Sequence, residues 1–429
     1  MALMSVIVTF AHDVEVDGIF YNLNHETKEA SVTFKGEGKE IKGYENNIAI
    51  PTNITIDNEL YKVTSIGENA FMYSSFKSIT IPNSISSIGM SAFEHCKNLT
   101  NITLPNSITR IEKATFWGCK KLKYINIPNT VTSIEENAFY NCENIIAITI
   151  PTSVTSIETG AFMGCEALTS ITISNSVISI GAWAFHSTKW YESQPDGLVY
   201  LGHFVYGYKG AMPANTKIEI KEGTRGIAGG AFSNCSSITA ISIPNSVTTI
   251  GEWAFCGCKN LTSITIPNSV TNIGEGAFLY CQNLISINVD KGNRTYDSRN
   301  DCNAIIHTAT NKLVMGCKKT IIPNTVTCIG RCAFEYCEGL TSITIPNSVT
   351  KFEFAAFNGC SGLTSITIPN SVLSIENGAF AGCTNLTSVN IENPNTEIGE
   401  HAFRGCTKID SKIIPQRMTE PDDTPMWLW

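Results

Sequence analysis

The residues best able to do chemistry in this 429-residue chain are its sixteen cysteines. Eleven of them occupy one position, three residues after a recurring phenylalanine: Cys96, Cys119, Cys142, Cys165, Cys235, Cys258, Cys281, Cys337, Cys360, Cys383 and Cys406. Ser74 and Thr188 stand at the same place in two further repeats, which favours a small buried side chain over a covalent bond. Side chains stacked in one direction keep their Cβ atoms about 4.8 Å apart, beyond the usual disulfide range of roughly 3.5–4.5 Å. We therefore expect a ladder of reduced, buried thiols.

Five further cysteines lie outside this ladder and are candidate metal ligands: Cys256, Cys302, Cys317, Cys328 and Cys332. No histidine lies at a suitable spacing, and one repeat cannot supply the four ligands that structural zinc requires. A disulfide between Cys302 and Cys317 remains an alternative. Asp297, Asn300 and Asp301 are possible calcium ligands, but the segment lacks the EF-hand order. We predict no metal site and no cofactor.

The sequence contains little that indicates a catalytic site. The seven histidines do not converge on one repeat position, and no nucleophile elbow, P-loop or H-E-x-x-H motif occurs. The sequence therefore predicts that the protein is not an enzyme and has no catalytic residues, with a site inside an irregular segment as the remaining alternative. A net charge of −8 without basic clusters argues against nucleic acid as a partner.

The recurring phenylalanine defines an internal repeat. It falls at Phe71, Phe93, Phe116, Phe139, Phe162, Phe185, Phe232, Phe255, Phe278, Phe334, Phe357, Phe380 and Phe403. Nine of the twelve intervals are 23 residues, and the two long ones, 47 and 56, each contain one period plus an insertion. A fixed period of this length is typical of a solenoid.

Each repeat contains two short strand-like segments. In residues 261–266, Ile264 and Ile266 alternate with Thr265, the period of two that buries one face. Pro267 and the two polar residues after it force a turn before a second strand at 270–273. One such coil buries too little apolar surface to fold alone, so the coils must stack. We predict a mostly β, right-handed solenoid.

These units resemble the BspA-like (Treponema-type) leucine-rich repeats, because LTSITIPNSVT-type segments are followed by Ala-Phe and a cysteine three residues later. The resemblance covers roughly residues 60–415 and is specific, since several residue types recur together at fixed offsets. Long convex helices are not expected, because a proline directly follows the strand in most repeats. The resemblance implies a bacterial secreted or cell-surface protein that binds host matrix proteins or other cells.

The remaining segments suggest a domain organisation. Residues 1–11 resemble the end of a secretory signal peptide, with a first β-strand as the alternative. Residues 12–60 predict an N-terminal β cap, 61–415 the leucine-rich-repeat solenoid, and 416–429 a C-terminal tail. Insertions at about 187–220 and 289–320 read as hairpins, with a turn signal at 195–197 in the first and a turn at Asn311 in the second. No segment is long and apolar enough to span a membrane.

The outward position between the two inward isoleucines provides the main candidate binding surface. It is occupied by Thr80, Thr103, Asn126, Thr149, Thr172, Ser242, Thr265, Asn288, Thr344, Thr367 and Asn390. This row is uncharged and rich in hydroxyl groups, so it could form many hydrogen bonds to a protein or a glycan. The alternative is purely structural, since threonine suits β-strands and stacks in ladders.

A second candidate is aromatic. The first insertion contains Trp190, Tyr191, Tyr206 and Tyr208, which could anchor a partner or simply pack the insertion against the solenoid.

The predicted function is therefore a non-enzymatic adhesion or protein-binding scaffold that acts through the exposed β face. Its expected partner is a protein or glycan on host or neighbouring cells. The alternative is an envelope scaffold that captures glycans or peptides without a role in adhesion.

Overall fold

The computed structural model describes residues 12–36 and 41–409. The suggested signal-peptide remnant at 1–11 and tail at 416–429 lie outside the described residues. The chain divides into two compact units. The first extends to Pro195 and includes Val199–Gly202, and the second comprises Asp196–Leu198 and the chain from His203.

The first unit begins with an antiparallel β segment and continues as short parallel strands. Its strands are β1 Val14–Val16, β2 Ile19–Asn24, β3 Glu29–Thr33, β4 Ile48–Ala49, β5 Asn53–Ile56, β6 Glu59–Ile66, β7 Ile79–Thr80, β8 Ser87–Ile88, β9 Arg110–Ile111, β10 Ser133–Ile134, β11 Ala147–Thr149, β12 Ser156–Ile157, β13 Ser170–Thr172 and β14 Ser179–Ile180, followed by helix α1 Lys189–Glu192. Strands β1, β2 and β3 form a meander, and β5 pairs antiparallel with β6. Because β6 also pairs in parallel with β8, the N-terminal β segment joins directly onto the first coils.

The second unit is built from the same short strands. After β15 Gly197–Leu201, these are β16 Phe204–Lys209, β17 Thr216–Glu219, β18 Gly226–Ile227, β19 Ile238–Ser242, β20 Thr249–Ile250, β21 Ser263–Ile266, β22 Asn272–Ile273, β23 Ser286–Val289, β24 Tyr296–Asp297, β25 Ala304–His307, β26 Lys312–Gly316, β27 Cys328–Ile329, β28 Lys351–Phe352, β29 Ser365–Ile368, β30 Ser374–Ile375, β31 Ser388–Ile391 and β32 Glu397–Ile398, with a 3-10 turn at Arg299–Asp301.

Strand register confirms the 23-residue period. In the first unit Ile134 pairs with Ile157, and in the second Ile250 pairs with Ile273, each exactly one repeat along the chain. The same offset relates the other strand of the coil, where Ile264 pairs with Ile287. Each unit is therefore a β-solenoid of stacked coils, as the repeat predicted.

The repeat phenylalanines form the centre of the core. In the first unit the rings of Phe116 and Phe139 stack with centroids 5.2 Å apart, and in the second those of Phe357 and Phe380 lie 5.1 Å apart. These side chains are fully buried. Coil stacking thus supplies the burial that one coil lacks.

The segment around each phenylalanine is a tight turn rather than a strand, and we call it the Ala-Phe turn. In the coil of Phe116, the backbone φ angle is positive at Ala114 and at Gly118, two residues before and two after the ring. Alternate amides point to the next coil: Ala114, Phe116 and Gly118 donate to Glu136, Ala138 and Tyr140 at 2.7–3.0 Å. The intervening amides bond within their own turn. Every second amide therefore ties one coil to the next.

The insertions are hairpins, but the predicted turn in the first was misplaced. The turn signal at 195–197 does not separate two strands, because the residues before it form α1. The hydroxyl of Thr188 caps this helix by accepting a hydrogen bond from the amide of Tyr191. The hairpin turn lies instead at Gly202 and His203, between β15 and β16.

The second insertion is built on antiparallel strands. Strand β25 pairs antiparallel with β24 and with β26, and Asn311 has the positive φ of a turn residue just before β26. Strand β26 then pairs in parallel with β27, so the insertion itself takes the place of one strand in the stack.

Candidate functional site

The structure places all eleven residues of the predicted outward row on the surface. Thr80, Thr103, Asn126, Thr149, Thr172, Ser242, Thr265, Asn288, Thr344, Thr367 and Asn390 are each exposed. The cause is strand geometry, since the residues on either side of Thr149 and of Thr265 are buried isoleucines. We call this row, with its neighbouring serines, the outward strand face.

Strand pairing brings the row into line within each unit. In the first unit Thr149 lies directly opposite Thr172. In the second, Thr265 lies opposite Asn288, and Thr367 opposite Asn390. Directly opposed residues have Cβ atoms about 4.5–5.5 Å apart. The face therefore presents a regular series of polar groups at the coil spacing.

The hydroxyl groups of this row are not used by the fold. Among the residues that the structure describes, the side chains of Thr149, Thr172 and Thr265 have no hydrogen-bond partner. A neighbouring row behaves differently, since the Thr169 hydroxyl donates to the carbonyl oxygen of Ile146 at 3.2 Å. Some threonines thus tie coils together, whereas those of the outward row leave their hydrogen-bonding capacity open.

A second serine row extends the surface. Ser78, Ser170, Ser263, Ser286, Ser342, Ser365 and Ser388 are all exposed. The outward row also contains a charged residue that sequence reasoning missed: Glu219 lies opposite Ser242. Pairing of β17 with β19 places it there, although its segment lacks the usual repeat motif.

A groove interrupts the outward strand face in the second unit. It has a volume of about 410 Å³ and lies between residues 320–324 and 342–346. Ile321 in its wall is 73% exposed, and Ser342 and Thr344 line the opposite side. Sequence reasoning missed Ile321. Aligning Pro323 with Pro267 would have placed it in the outward row, where the equivalent residue is Thr265.

The aromatic residues of the first insertion are less available. Tyr206 is 6% exposed, and Trp190, Tyr191 and Tyr208 are half-buried. The Trp190 ring meets Phe185 edge-on at 6.2 Å, and its amide donates to the carbonyl oxygen of Leu168 at 2.7 Å. These contacts favour a packing role, and binding by these aromatic residues stays a prediction.

All sixteen cysteines are free thiols in the structure, including Cys302 and Cys317, so the alternative of a bridge between these two is not realised. The expected ladder is present. The Cys142 and Cys165 thiols donate to the carbonyl oxygens of Phe116 and Phe139 in the preceding coils, at 3.1 and 3.2 Å. Burial raises the pKa of both thiols above the ordinary value, so they stay protonated and inert.

Three members of the ladder are half-buried rather than buried: Cys235, Cys281 and Cys337. Each belongs to the repeat directly before or after an insertion. The expectation of uniform burial was therefore wrong where the regular succession of coils is interrupted.

The described residues contain neither a cluster suited to a metal ion nor a helix suited to a membrane. In residues 12–36 and 41–409, no group of three or more histidine, cysteine or acidic side chains is placed to hold a metal ion. The carboxylate of Asp297, a considered calcium ligand, instead pairs with the guanidinium of Arg299 at 2.7 Å. The helical segments of the described chain contain none long and apolar enough to cross a membrane.

Comparison with solved structures returns bacterial leucine-rich repeat proteins. A leucine-rich repeat protein from Bacteroides ovatus is 26% identical, with 96% of this chain and 99% of that chain covered and a TM-score of 0.41. A leucine rich cell surface protein from Faecalibacterium prausnitzii is 24% identical over 96% and 98% of the two chains, with a TM-score of 0.37. The pneumococcal vaccine antigen PcpA is 19% identical over 92% and 80%, with a TM-score of 0.33. No curated protein matches the chain.

The family profile is decisive. The profile described as BspA type leucine rich repeat region (6 copies) matches residues 64–191, 208–310 and 305–424. These ranges cover most of the chain and, up to residue 409, overlap the stacked coils. The chain therefore belongs to the BspA-type leucine-rich repeat family.

Proposed function

We propose that this protein is a non-enzymatic scaffold that binds proteins of the host matrix or of other cells through its outward strand face. The observation that carries the proposal is the in-register row of exposed hydroxyl groups, exemplified by Thr149 and Thr172, which have no hydrogen-bond partner among residues 12–36 and 41–409. A protein ligand can satisfy such groups with its own backbone and polar side chains. Each bond contributes modestly, on the order of 1 kcal/mol, so affinity comes from their number.

The groove beside Ile321 adds an apolar contact to this polar surface. Protein interfaces usually combine a few buried apolar anchors with a polar surround. Ile321 is exposed beside Ser342 and Thr344, so a partner side chain could cover it while hydrogen-bonding to its neighbours. This combination favours a protein ligand over a glycan, which remains the alternative.

Secretion or display at the cell surface is part of the proposal. It is supported by membership of the BspA-type family and by the Faecalibacterium prausnitzii relative, which is described as a cell surface protein. The predicted role in adhesion follows from the same family resemblance.

Solid-phase binding of the full chain to immobilised matrix proteins, mucins and a glycan array tests the proposal. The decisive variant carries Thr149→Arg, Thr172→Arg and Thr265→Arg. A matched control carries Thr132→Arg, Thr155→Arg and Thr248→Arg, since these threonines are also exposed but directly precede the other short strand of the coil. We expect the first variant to lose binding to a protein ligand and the control to keep it. Retained binding by the first variant would refute the proposed face, and glycan binding alone would favour the alternative.

A further inference from the structure

In the second unit, backbone hydrogen bonds connect each regular Ala-Phe turn to the turn of the next coil. In the turn of Phe255, the amides of Trp253, Phe255 and Gly257 donate to Glu275, Ala277 and Leu279 of the next coil, at 3.1, 2.7 and 2.8 Å. The same pattern holds for the turn of Phe334, whose alternate amides bond to the coil of Phe357. Each turn is therefore normally covered by another segment of polypeptide.

The turn of Phe278 breaks this pattern. Among the described residues, the backbone amides of Gly276, Phe278 and Tyr280 have no hydrogen-bond partner. The chain leaves the stack after this coil to form the second insertion. No Ala-Phe turn from the insertion replaces the one that would cover Phe278.

Unused acceptors lie on the other side of the interruption. In the turn of Phe334, the carbonyl oxygen of Ala333 accepts from the amide of Gly316 at 2.8 Å. The carbonyl oxygens of Arg331 and Glu335 accept no hydrogen bond from the described residues. Their equivalents one regular coil earlier, Glu275 and Leu279, both accept one. Phe278 is buried, Gly276 and Glu335 are half-buried, and Arg331 is exposed. Backbone groups that are withdrawn from water are almost always paired, so these donors and acceptors are suited to bond to a ligand at the interruption.

A cavity of about 330 Å³ lies at this interruption. Its walls include Gly276 and Phe278 on one side, Arg331 and Glu335 on the other, and Val314 of β26. The volume lies at the small end of the range for ligand pockets, roughly 300–1,000 Å³. We call it the interrupted-coil cavity.

Side chains span the interruption and hold its two sides together. Arg331 forms an ion pair with Glu275 at 2.5 Å, and the rings of Tyr280 and Tyr336 stack at 4.3 Å. These contacts join residues 56 positions apart in sequence. These contacts connect the coil of Phe278 to the coil of Phe334 at the edge of the cavity.

The charges of the lining are largely compensated within the protein. Arg331 pairs with Glu275, and Lys312 pairs with Glu353 at 2.5 Å. The Glu335 carboxylate accepts from the Asn358 amide group at 2.8 Å. What remains is the backbone amides of Gly276 and Phe278 in one coil and the backbone carbonyl oxygens of Arg331 and Glu335 in the other. An uncharged group that both donates and accepts hydrogen bonds matches this set, and the peptide amide is such a group.

We propose that the interrupted-coil cavity binds a short peptide segment of another polypeptide through that segment's main-chain amides. The occupant's carbonyl oxygens accept from Gly276 and Phe278, and its amides donate to Arg331 and Glu335. This is the arrangement by which polypeptide covers the regular Ala-Phe turns. The site is separate from the outward strand face, and its existence does not depend on the proposed function of that face.

Titration of the full chain with capped trialanine, acetylated at its N-terminus and methylamidated at its C-terminus, tests the proposal. The readout is the amide resonances of Gly276 and Phe278 together with calorimetry. We expect these resonances to shift and the affinity to fall about tenfold for the analogue methylated on its central amide nitrogen, the equivalent of one hydrogen bond. Unshifted resonances at millimolar peptide, or equal affinity for the two peptides, would overturn the proposal and leave water as the occupant.

A pair of variants locates the site. Val314→Trp fills the cavity and is expected to abolish peptide binding, whereas Leu373→Trp, at an exposed position outside the lining, is expected to preserve it. Binding retained by folded Val314→Trp would overturn the assignment. If Val314→Trp does not fold, the comparison of the two peptides on the wild-type protein still tests the proposal. The arginine variant of the outward strand face should bind the peptide unchanged, which separates failure here from failure of the proposed function.

Discussion

The thiol of Cys142 donates a hydrogen bond to the carbonyl oxygen of Phe116 in the preceding coil, with Sγ and oxygen 3.1 Å apart. The same relationship joins Cys383 to Phe357 in the second unit. The repeated cysteine therefore acts as a small buried hydrogen-bond donor to the preceding coil. Ser74 and Thr188 at the same place in two repeats are also small and buried but bond differently: the Thr188 hydroxyl donates to Phe185 of its own turn, and the Ser74 hydroxyl accepts from the amide of Tyr44.

Replacing Cys142 should reveal this role. Cys142→Ala removes one of two hydrogen bonds to the Phe116 carbonyl oxygen, which also accepts from the amide of Cys119, and it opens a small void. We therefore expect the free energy of unfolding to fall by about 1–2 kcal/mol. Cys142→Ser keeps a donor and should cost less. Urea denaturation measures both, with Thr149→Ala as a surface control expected within about 0.5 kcal/mol of the wild type. Equal stability of all three variants would show that the thiol bond contributes nothing.

The buried thiols should also make stability depend on pH. Burial raises the pKa of Cys165 above the ordinary value of 9.0. A group whose folded pKa is raised stabilises the fold fully below its unfolded pKa, and this contribution is lost as pH rises above it. We therefore expect the unfolding free energy to decline above pH 9.0, by up to about 1.4 kcal/mol per pH unit for each such thiol. Cys165→Ser should show a shallower decline in chemical denaturation, and an unchanged slope would contradict this assignment.

The phenylalanine ladder should dominate stability. Phe139 stacks between Phe116 and Phe162, at 5.2 and 5.0 Å. Phe139→Ala removes both contacts and leaves a cavity, so a loss of about 3–5 kcal/mol is expected. Tyr124, which is 61% exposed, provides a control, since Tyr124→Ala should change the denaturation midpoint little. A Phe139→Ala variant as stable as this control would refute the role of the ladder.

Amide hydrogen exchange should detect the interrupted stack without any ligand. The amides of Gly276 and Phe278 have no partner within the described part of the chain, whereas those of Trp253 and Phe255 are bonded one coil earlier. We expect exchange at the first pair to be at least about tenfold faster than at the second, since a missing hydrogen bond lowers local protection. Equal protection factors would mean that the amides of Gly276 and Phe278 are satisfied in solution.

Much of the fold follows from local repetition. The period of the phenylalanines predicts coil stacking, and alternation around Thr265 predicts which side chains face outward. These features depend on a few residues in each repeat, so one sequence suffices to find them.

The insertions were harder to predict because their consequences depend on where the chain rejoins the stack. The half-burial of Cys281, the open amides at Phe278 and the exposure of Ile321 all arise where an insertion replaces part of a coil. The signal at 195–197 predicted a turn between two strands, but Thr188 caps a short helix that takes the place of the first strand. Comparing each irregular coil with the regular ones, position by position, would have found Ile321.

Recognition of a protein through the outward strand face is tested most directly at the groove. The measurement is the dissociation constant of a protein ligand found in the solid-phase screen, for the wild type, Ile321→Asp and Leu373→Asp. Ile321 and Leu373 are similarly exposed, at 73% and 62%, so the two variants place the same charge at comparable positions on and off the groove. We expect Ile321→Asp to weaken binding by at least about tenfold, the equivalent of about 1.4 kcal/mol, and Leu373→Asp to bind like the wild type. Equal affinities for all three proteins would contradict the assignment of the ligand to this face.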